Sequence, residues 1–230
     1  MRHISLLAVS LLALVACTPE EPKEADYTQY VNPMIGTDFT GNTYPGAQAP
    51  YGMVQLSPDN GLPGWDRISG YFYPDTTIAG FSHTHLSGTG AGDLYDISFM
   101  PVTRPYKEAP APLGIYSTFS HNEEAASAGY YRVLLQDYNI NVELTATERC
   151  GIQRYTFPKA EASVFLNLKK AMNWDFTLDS YIEVIDSVTI RGYRFSQGWS
   201  PNQHVYFQTR FSKPFVAYHM DTTAIVTKDK

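Results

Sequence analysis

The segment at residues 80–93 combines residue types that could bind a metal, a phosphate or a sugar. It reads GFSHTHLSGTGAGD, with His83 and His85 one residue apart, then serine, threonine and glycines, then Asp93. Side chains repeat every second residue in a strand, so a strand here would place the two histidines on one face, where such a pair can chelate. A metal site needs a third and usually a fourth ligand, and residues 86–91 contain no acid. Metal binding by this segment is therefore disfavoured.

A phosphate site is also disfavoured, whereas the composition suits a sugar. The glycines at positions 88, 90 and 92 could form an anion-binding nest, but neither a lysine nor a helix start follows them. The histidines, the serine, the threonine and the backbone amides, taken with Trp65 and Asp66, are groups that bind sugars. An indole ring covers the C–H face of a pyranose, and a carboxylate accepts hydrogen bonds from two neighbouring hydroxyls.

Each of these residues also has a structural interpretation. Trp65 could belong to the core of a sandwich, and Asp66 could form a turn before Arg67. The two histidines could be satisfied polar residues of a strand. Their combination favours the sugar-binding interpretation.

Length and composition indicate one large all-β domain and exclude one class of partner. The 230 residues are 43% hydrophobic and 17% charged, with 17 Tyr, 12 Phe and 3 Trp that suit half-buried pleated surfaces. The formal net charge is -6, whereas nucleic-acid-binding domains present a basic face. Nucleic acid is therefore excluded as a partner.

The N-terminus is typical of a secretion signal that ends in a lipidation site. Residues 1–17, MRHISLLAVSLLALVAC, have a basic start, an apolar stretch too short to span a membrane and a small residue before Cys17. The last four residues resemble the bacterial lipoprotein box, in which the cysteine carries the lipid. The alternative is an ordinary signal peptide that happens to contain Cys17, but no A-x-A site follows. We expect a lipid anchor in the bacterial outer membrane, facing the periplasm or the cell surface.

The rest of the chain divides into a tether and a folded domain. Residues 18–29 begin with TPEEPKEAD, whose prolines and acids are typical of a solvated tether, and the folded domain is assigned to residues 30–230. Lipidation of Cys17 leaves Cys150 without a disulfide partner, and we expect Cys150 to be a buried core residue.

Hydrophobic residues beyond the tether repeat with a period of two, which predicts strands. In INVELTATE, residues 140–148, apolar and polar residues alternate, so that one face is apolar. Further strands are predicted at YYRVLL, GIQRYTF, ASVFLNL, YIEVIDSVTI and HVYFQTRF, which are rich in aromatic and β-branched residues. The best candidate for a helical turn is residues 123–128. This pattern predicts an antiparallel β-sandwich.

Residues 32–101 differ from the rest, because glycine, proline and aromatic residues are dense there. Long irregular loops that carry aromatics and small polar residues are more often binding surface than packing. NPM and YPG within this stretch are turn sequences. The predicted binding loops therefore lie in this stretch.

Four long segments, in this order, resemble the N-terminal domain of glycoside hydrolase family 92. They are VNPMIGTDFTGNTYPGAQAPYGMVQLSPD, GWDRISGYFYPDTTIAGFSHTHLSGTGAGDLYDISFMP, AGYYRVLLQDYNINVELTATERCGIQRYTFP and HVYFQTRFSKPF. The family comprises bacterial, calcium-dependent, inverting, exo-acting α-mannosidases. The resemblance covers the chain from Tyr30 to Lys230.

The resemblance implies a galactose-mutarotase-like supersandwich that packs, in the full-length enzyme, against the protein's own C-terminal (α/α)6 barrel. The implied substrate is a mannose-containing glycan, an N-glycan or a mannan with terminal α-mannosides, bound between the two domains. The general-acid glutamate, the carboxylates that activate water and most calcium ligands belong to that barrel. No catalytic or metal-binding residue is therefore assigned in this chain, and the fragment alone is expected to be inactive.

The loops of the sandwich are expected to hold the sugar, while an acid and a base about 6.5 to 9.5 Å apart carry out the inverting reaction. The resemblance implies Trp65 and Asp66 as the first candidates for direct contact with the sugar, followed by His83 and His85 and then by Asp93. The histidines could instead brace the loop. The alternative function is a non-catalytic cell-surface lipoprotein that binds carbohydrate, which would explain the anchor and the aromatic loops equally well.

Overall fold

Strands make up nearly all of the regular structure. The computed structural model describes residues 25–88, 90–103, 114–159, 161–169 and 174–220. Within these residues the strands are β1 (Ala47–Gln48), β2 (Gln55–Asp59), β3 (Thr77–Ile78), β4 (Gly80–Ser82), β5 (Ser98–Thr103), β6 (Ser117–Thr118), β7 (Glu124–Ser127), β8 (Tyr130–Leu135), β9 (Ile140–Ala146), β10 (Gly151–Thr156), β11 (Ala162–Asn167), β12 (Phe176–Asp186), β13 (Thr189–Gln197) and β14 (Gln203–Arg210). The described helical structure is confined to 3-10 turns at Thr28–Tyr30, Trp65–Arg67 and His121–Glu123.

The described strands pair in antiparallel fashion and form three main sheets and a small one. The strand order is β1-β2-β4-β5-β11 in a five-stranded sheet, β10-β9-β8-β7 in a four-stranded sheet and β12-β13-β14 in a three-stranded sheet. Strands β3 and β6 pair separately. The predicted antiparallel β-sandwich is confirmed.

The five-stranded sheet is the middle layer, because both of its faces are buried. In β11, Phe165 packs against a core cluster shared with the four-stranded sheet, whereas Val164 and Leu166 pack against a second cluster next to the three-stranded sheet. This split follows from the strand geometry, in which neighbouring side chains point to opposite faces. The neighbouring strand β5 is buried along nearly its whole length for the same reason.

The larger cluster confirms the alternation read from residues 140–148. Ile140, Val142 and Leu144 are buried, while the polar residues between them face outward. Burying each such side chain contributes about 1.5 to 3 kcal/mol. Strands β8, β10, β11 and β14 also lie where the sequence predicts them.

Two local predictions were wrong. The segment 181–190 is not one strand, because a turn at Ser187 and Val188 ends β12 and begins β13. The helical turn predicted at residues 123–128 is instead the end of a 3-10 turn followed by β7. Here β7 forms the outer strand beside β8, so pairing with a neighbouring strand overrides the weak local helical preference.

Cys150 is exposed, so the prediction that it lies in the core was wrong. It sits in the short turn between β9 and β10, where the backbone amide of Thr147 donates to the carbonyl of Cys150 at 2.8 Å. A tight connection at the end of a sheet leaves its residues on the surface.

The predicted signal peptide, Cys17 and most of the predicted tether lie outside the described residues. Among the residues that are described, no helix has the length and apolar character needed to cross a membrane.

Candidate sugar-binding site

Trp65 and Asp66 lie on a braced surface turn. The turn Trp65–Arg67 follows Gly64, whose φ of 153° only glycine adopts readily. The Arg67 guanidinium donates to both carboxylate oxygens of Asp75, with Nε 2.6 Å from Oδ2. Trp65 remains 57% exposed and Asp66 is half-buried. The turn therefore leaves the indole of Trp65 exposed, with the partly accessible Asp66 next to it in the chain.

The backbone that follows this turn rests on buried residues. The Tyr95 hydroxyl donates to the carbonyl of Ile68. Gly70 has a φ of 90°, and a Cβ there would lie 2.7 Å from Asp59 Oδ1 and 3.0 Å from the His85 ring. A side chain at position 70 would meet both strain and a clash, so the approach of this backbone to His85 requires glycine.

His85 is a supporting residue inside the domain. Its side chain is fully buried, and its Nδ1–H donates to the carbonyl of Gln55 at 2.7 Å. Nε2 lies 2.9 Å from Asp59 Oδ1 and 3.1 Å from Ser82 Oγ. Both ring nitrogens are thus engaged in the interior, and no polar atom of the ring faces the surface.

His83 occupies a different environment. Strand β4 ends at Ser82, so the two histidines do not extend a common strand face. Nδ1–H of His83 donates to the carbonyl of Ile97 at 2.8 Å, and the ring lies under Gly151, where a Cβ would be 2.8 Å away. Burial lowers the pKa of His83, with the carbonyl of Ile97 opposing that shift.

Asp93 is buried beneath the loop between β13 and β14. Its Oδ2 accepts from the backbone amide of Ser200 at 3.1 Å and from the Gln203 side chain at 3.2 Å. A Cβ on Gly198 would lie 2.2 Å from Asp93 Oδ1. The carboxylate therefore fastens that loop from below.

Two tryptophans that the sequence analysis did not single out lie beside Trp65. The rings of Trp65 and Trp174 are 6.1 Å apart between centroids and tilted by 56°. Trp174 and Trp199 also line a cavity of about 490 Å³ together with Gly90, Ala91 and Gly198. Trp174 is 51% exposed and Trp199 is 75% exposed. All three tryptophans of the chain therefore belong to one aromatic surface, defined here as Trp65, Trp174 and Trp199.

A signal for these two residues was present in the sequence. Trp174 precedes Asp175 and so repeats the Trp-Asp pair of the first turn, while Trp199 stands in GWSPN, a turn-forming stretch between two strands. An isolated tryptophan within turn residues is rarely a core residue, because turns lie on the surface.

Beneath this surface lies a fully buried ion pair network. Arg194 donates from Nη1 to Asp96 Oδ1 and from Nη2 to Asp175 Oδ2, each at 2.6 Å. Burial raises the pKa of Asp175, and the guanidinium of Arg194 opposes that shift. Arg194 therefore joins the backbone next to Trp174 to the segment that supports the Trp65 turn.

The segment 93–97 is strained. Leu94, Tyr95 and Ile97 have φ values of 83°, 64° and 57°, which non-glycine residues rarely adopt. Asp96 holds this segment through Arg194 and through the Thr84 hydroxyl, which donates to Asp96 Oδ2 at 2.6 Å. Strain of this kind persists where surrounding contacts enforce it, commonly next to a functional site.

The described residues do not form a metal centre. No group of three or more His, Cys, Asp or Glu side chains among them is placed to hold a metal ion.

Comparison with known proteins identifies the family. Residues 30–230 match the glycosyl hydrolase family 92 N-terminal domain. The chain belongs to this family. A family 92 alpha-mannosidase from Bacteroides thetaiotaomicron, solved in complex with mannoimidazole, is 42% identical, with 82% of this chain and 26% of that chain covered and a TM-score of 0.78.

Two further proteins are also similar to the chain. An inverting mannosidase of the family from Bacteroides thetaiotaomicron is 29% identical, with 85% of this chain and 26% of that chain covered and a TM-score of 0.67. A protein named as an uncharacterized secreted glycosidase from Arthroderma benhamiae is 27% identical over an alignment of 172 residues, with 70% of this chain and 21% of that protein covered. The chain thus spans about a quarter or less of the length of these relatives.

Proposed function

We propose that this domain holds the terminal mannose for an exo-acting, inverting α-mannosidase that hydrolyses terminal α-mannosides of N-glycans or mannans. The observation that carries the proposal is the pair Trp65 and Asp66 on one braced, solvent-facing turn, in a family 92 domain. The similar mannosidase bound to mannoimidazole supports a mannose-type ligand.

The two side chains supply complementary contacts to a pyranose. The exposed face of Trp65 suits the C–H face of the ring, because the aromatic quadrupole attracts weakly positive C–H groups. Asp66 offers two acceptor oxygens one residue further on, which suits two neighbouring hydroxyls. The fixed turn orders both groups in advance, so little conformational freedom is lost on binding.

The remaining candidates act at a distance from the sugar in this proposal. His85 and Asp93 are buried and bonded to neighbouring segments, so they position the loops. His83 is half-buried and packs under Gly151, which again suits a brace. Of the five residues predicted to bind the sugar, Trp65 is the exposed one, and the half-buried Asp66 lies next to it on the surface turn.

Bond cleavage is assigned to a further domain of the full-length protein. An inverting glycosidase needs two carboxyl groups about 6.5 to 9.5 Å apart on opposite sides of the sugar. We place this pair, and the ligands of the calcium that the family uses, in the C-terminal barrel. Residues 18–230 alone are therefore inactive in this proposal, and the domain contributes orientation of the substrate.

The test uses the longest protein that the gene encodes, with an α-linked mannobioside as substrate. Loss of the indole contact in Trp65→Ala costs about 1 kcal/mol, a decrease in kcat/KM of about 5-fold. Loss of the charge-assisted hydrogen bonds in Asp66→Ala costs about 1.5 to 3 kcal/mol, a decrease of about 10- to 150-fold.

The control is Tyr218→Ala, because Tyr218 is exposed next to Ser187, at the opposite end of β13 from Trp199. That variant should keep wild-type kcat/KM, and melting temperatures should be unchanged for all three. Wild-type kcat/KM in both Trp65→Ala and Asp66→Ala would overturn the assignment. Mannose binding by the full-length protein without hydrolysis would favour the non-catalytic carbohydrate-binding lipoprotein.

A further inference from the structure

Glu124 is a buried carboxylate that takes no part in the proposed sugar contacts. It begins strand β7, yet its side chain is only 1% exposed. The hydroxyls of Tyr71 and Tyr131 both donate to it, and the Tyr71 hydroxyl lies 3.0 Å from each carboxylate oxygen. A buried carboxylate needs such donors, because an unsatisfied charge in the interior is costly. Glu124 therefore joins Tyr71, which follows the Trp65 turn in the chain, to Tyr131 in strand β8.

Both tyrosine hydroxyls remain donors in the interior. Burial raises the pKa of Tyr71, and the neighbouring Glu124 adds to that shift. Burial also raises the pKa of Tyr131, again with a contribution from Glu124. Neither hydroxyl therefore loses its proton at neutral pH, and Glu124 keeps both hydrogen bonds.

His121 gives Glu124 a second link to the same segment. Its Nδ1 lies 2.7 Å from Glu124 Oε2, and its Nε2 lies 2.7 Å from the carbonyl oxygen of Tyr73. The His121 ring also stacks on the Tyr73 ring, with 4.0 Å between centroids and 6° between the planes. Both nitrogens face oxygen acceptors, so each donates a hydrogen when both bonds form, and the positive charge of the ring then balances the carboxylate. Glu124 therefore holds Tyr71 directly and Tyr73 through His121.

The segment held in this way, residues 71–75, carries the brace of the Trp65 turn. Arg67, the last residue of that turn, donates to both carboxylate oxygens of Asp75. Its guanidinium carbon also lies 4.7 Å from the centroid of the Phe72 ring. A displacement of the segment would therefore move Arg67 and the turn with it.

We propose that Glu124 is a positioning residue, which fixes the turn of Trp65 and Asp66 for the terminal mannose without touching the sugar. This inference rests on the proposed function, because it takes that turn as the contact with the sugar. A carboxylate held by donors from two sides allows the segment few alternative positions, so little freedom is lost when the sugar binds. A small displacement of a substrate-binding group can lower the rate of an enzyme by about 100-fold.

Tyr71→Phe tests the link to Glu124 in the full-length protein, because it removes one hydroxyl and keeps the buried ring. The matched control is Tyr138→Phe, since Tyr138 belongs to the same core cluster and its hydroxyl donates to the carbonyl of Tyr116 at 2.8 Å. Both variants should lower the melting temperature by similar amounts. Only Tyr71→Phe should accelerate amide hydrogen exchange of residues 65–75, by about 5-fold, because that segment then opens locally.

Kinetics on the α-linked mannobioside separate positioning from a purely structural role. Tyr71→Phe should lower kcat/KM about 5-fold or more, whereas Tyr138→Phe should keep it within about 2-fold of wild type. In a background that combines Trp65→Ala with Asp66→Ala, Tyr71→Phe should change kcat/KM by less than about 2-fold, because its effect passes through the turn. His121→Phe, which keeps a ring for stacking, should give the same results and replaces Tyr71→Phe if that variant does not fold.

Equal exchange of residues 65–75 in Tyr71→Phe and Tyr138→Phe would overturn the positioning role. An undiminished loss of kcat/KM in the background that lacks the indole and the carboxylate of the turn would overturn it as well. Wild-type kcat/KM in both single variants of the turn contradicts the proposed function instead. Hydrogen exchange needs no sugar and then decides the inference: faster exchange in Tyr71→Phe alone supports a turn fixed by Glu124, and unchanged exchange overturns it.

Discussion

The guanidinium of Arg194 lies 2.6 Å from the carboxylate of Asp96, although 98 residues separate the two in the chain. The same guanidinium bonds Asp175 at 2.6 Å, and the side chains of all three are fully buried. The network thus ties strand β13 to the strained segment below the Trp65 turn and to the residue after Trp174.

Replacing Arg194 with methionine should destabilise the domain strongly. Removing one partner of a buried ion pair leaves uncompensated buried charge, which costs about 3 to 5 kcal/mol in the free energy of unfolding. The matched control is Arg191→Met, because Arg191 lies on the same strand and pairs with Glu183 at the surface at 2.8 Å. An exposed pair of this kind contributes about 0 to 1 kcal/mol.

The free energy of unfolding of both variants is measured by urea unfolding of residues 18–230. Similar losses in Arg194→Met and Arg191→Met would contradict the structural role of the buried network. If Arg194→Met does not fold, Asp175→Asn keeps the shape of one partner and should still lower the free energy of unfolding by more than Arg191→Met does.

His85→Ala should lower stability and catalytic efficiency together. The substitution removes the donor to the carbonyl of Gln55 and one hydrogen-bond partner of Asp59. Each buried polar group that loses its partner costs about 1 to 3 kcal/mol in the free energy of unfolding. Because Gly70 rests on the His85 ring, the turn that carries Trp65 loses its support.

Thermal unfolding and kcat/KM of the full-length protein are measured side by side for this variant. His219→Ala serves as the control, because His219 is exposed, and neither quantity should change. A loss of kcat/KM at an unchanged melting temperature would mean that His85 contacts the sugar instead.

The strands could be predicted where alternation alone decides the burial of each residue. Ile140, Val142 and Leu144 face one core, and their alternation with polar residues predicts this without knowledge of contacts that are distant in the chain. The hairpin within residues 181–190 was not predicted, because apolar residues continue through both strands and no glycine or proline marks the turn at Ser187.

The candidate site divides in a similar way. The exposure of Trp65 follows from a local turn sequence, and so could be predicted. The burial of His85 and Asp93 could not, because it depends on partners 26 and 107 residues away in the chain. Likewise, the juxtaposition of Trp65 with Trp174 arises only when β5, β11 and β13 have packed.

Cys17 should carry the lipid anchor, although it lies outside the described residues. The sequence LVAC before a polar tether motivates the prediction. Several acyl chains on one residue would hold the protein to a membrane durably, whereas a single chain binds only marginally. In cell fractionation, Cys17→Ala should move the protein out of the membrane fraction and Cys150→Ala, the other cysteine, should not. A Cys17→Ala variant that is still processed and membrane-bound would refute the anchor.

His83 should make the domain less stable in mild acid. Burial lowers the pKa of His83 below its ordinary value of 6.5, and the neighbouring His85 contributes in the same direction, whereas the carbonyl of Ile97 and the carboxylates of Asp59 and Asp96 oppose it. The unfolded chain then binds more protons than the folded chain once the pH falls below about 6.5, so stability decreases as the pH falls through the folded pKa.

The measurement is the free energy of unfolding of residues 18–230 between pH 5 and 8, for wild type and for His83→Gln. Glutamine keeps a donor near the Ile97 carbonyl but cannot titrate, so the wild type should lose stability relative to His83→Gln below about pH 6.5, and the difference should be constant above about pH 7.5. Other groups titrate equally in both proteins and cancel in this difference. Parallel curves of the free energy of unfolding against pH would show that folding does not change the pKa of His83. A gain in the stability of the wild type relative to His83→Gln in acid would mean that Asp59 and Asp96 outweigh burial and raise that pKa.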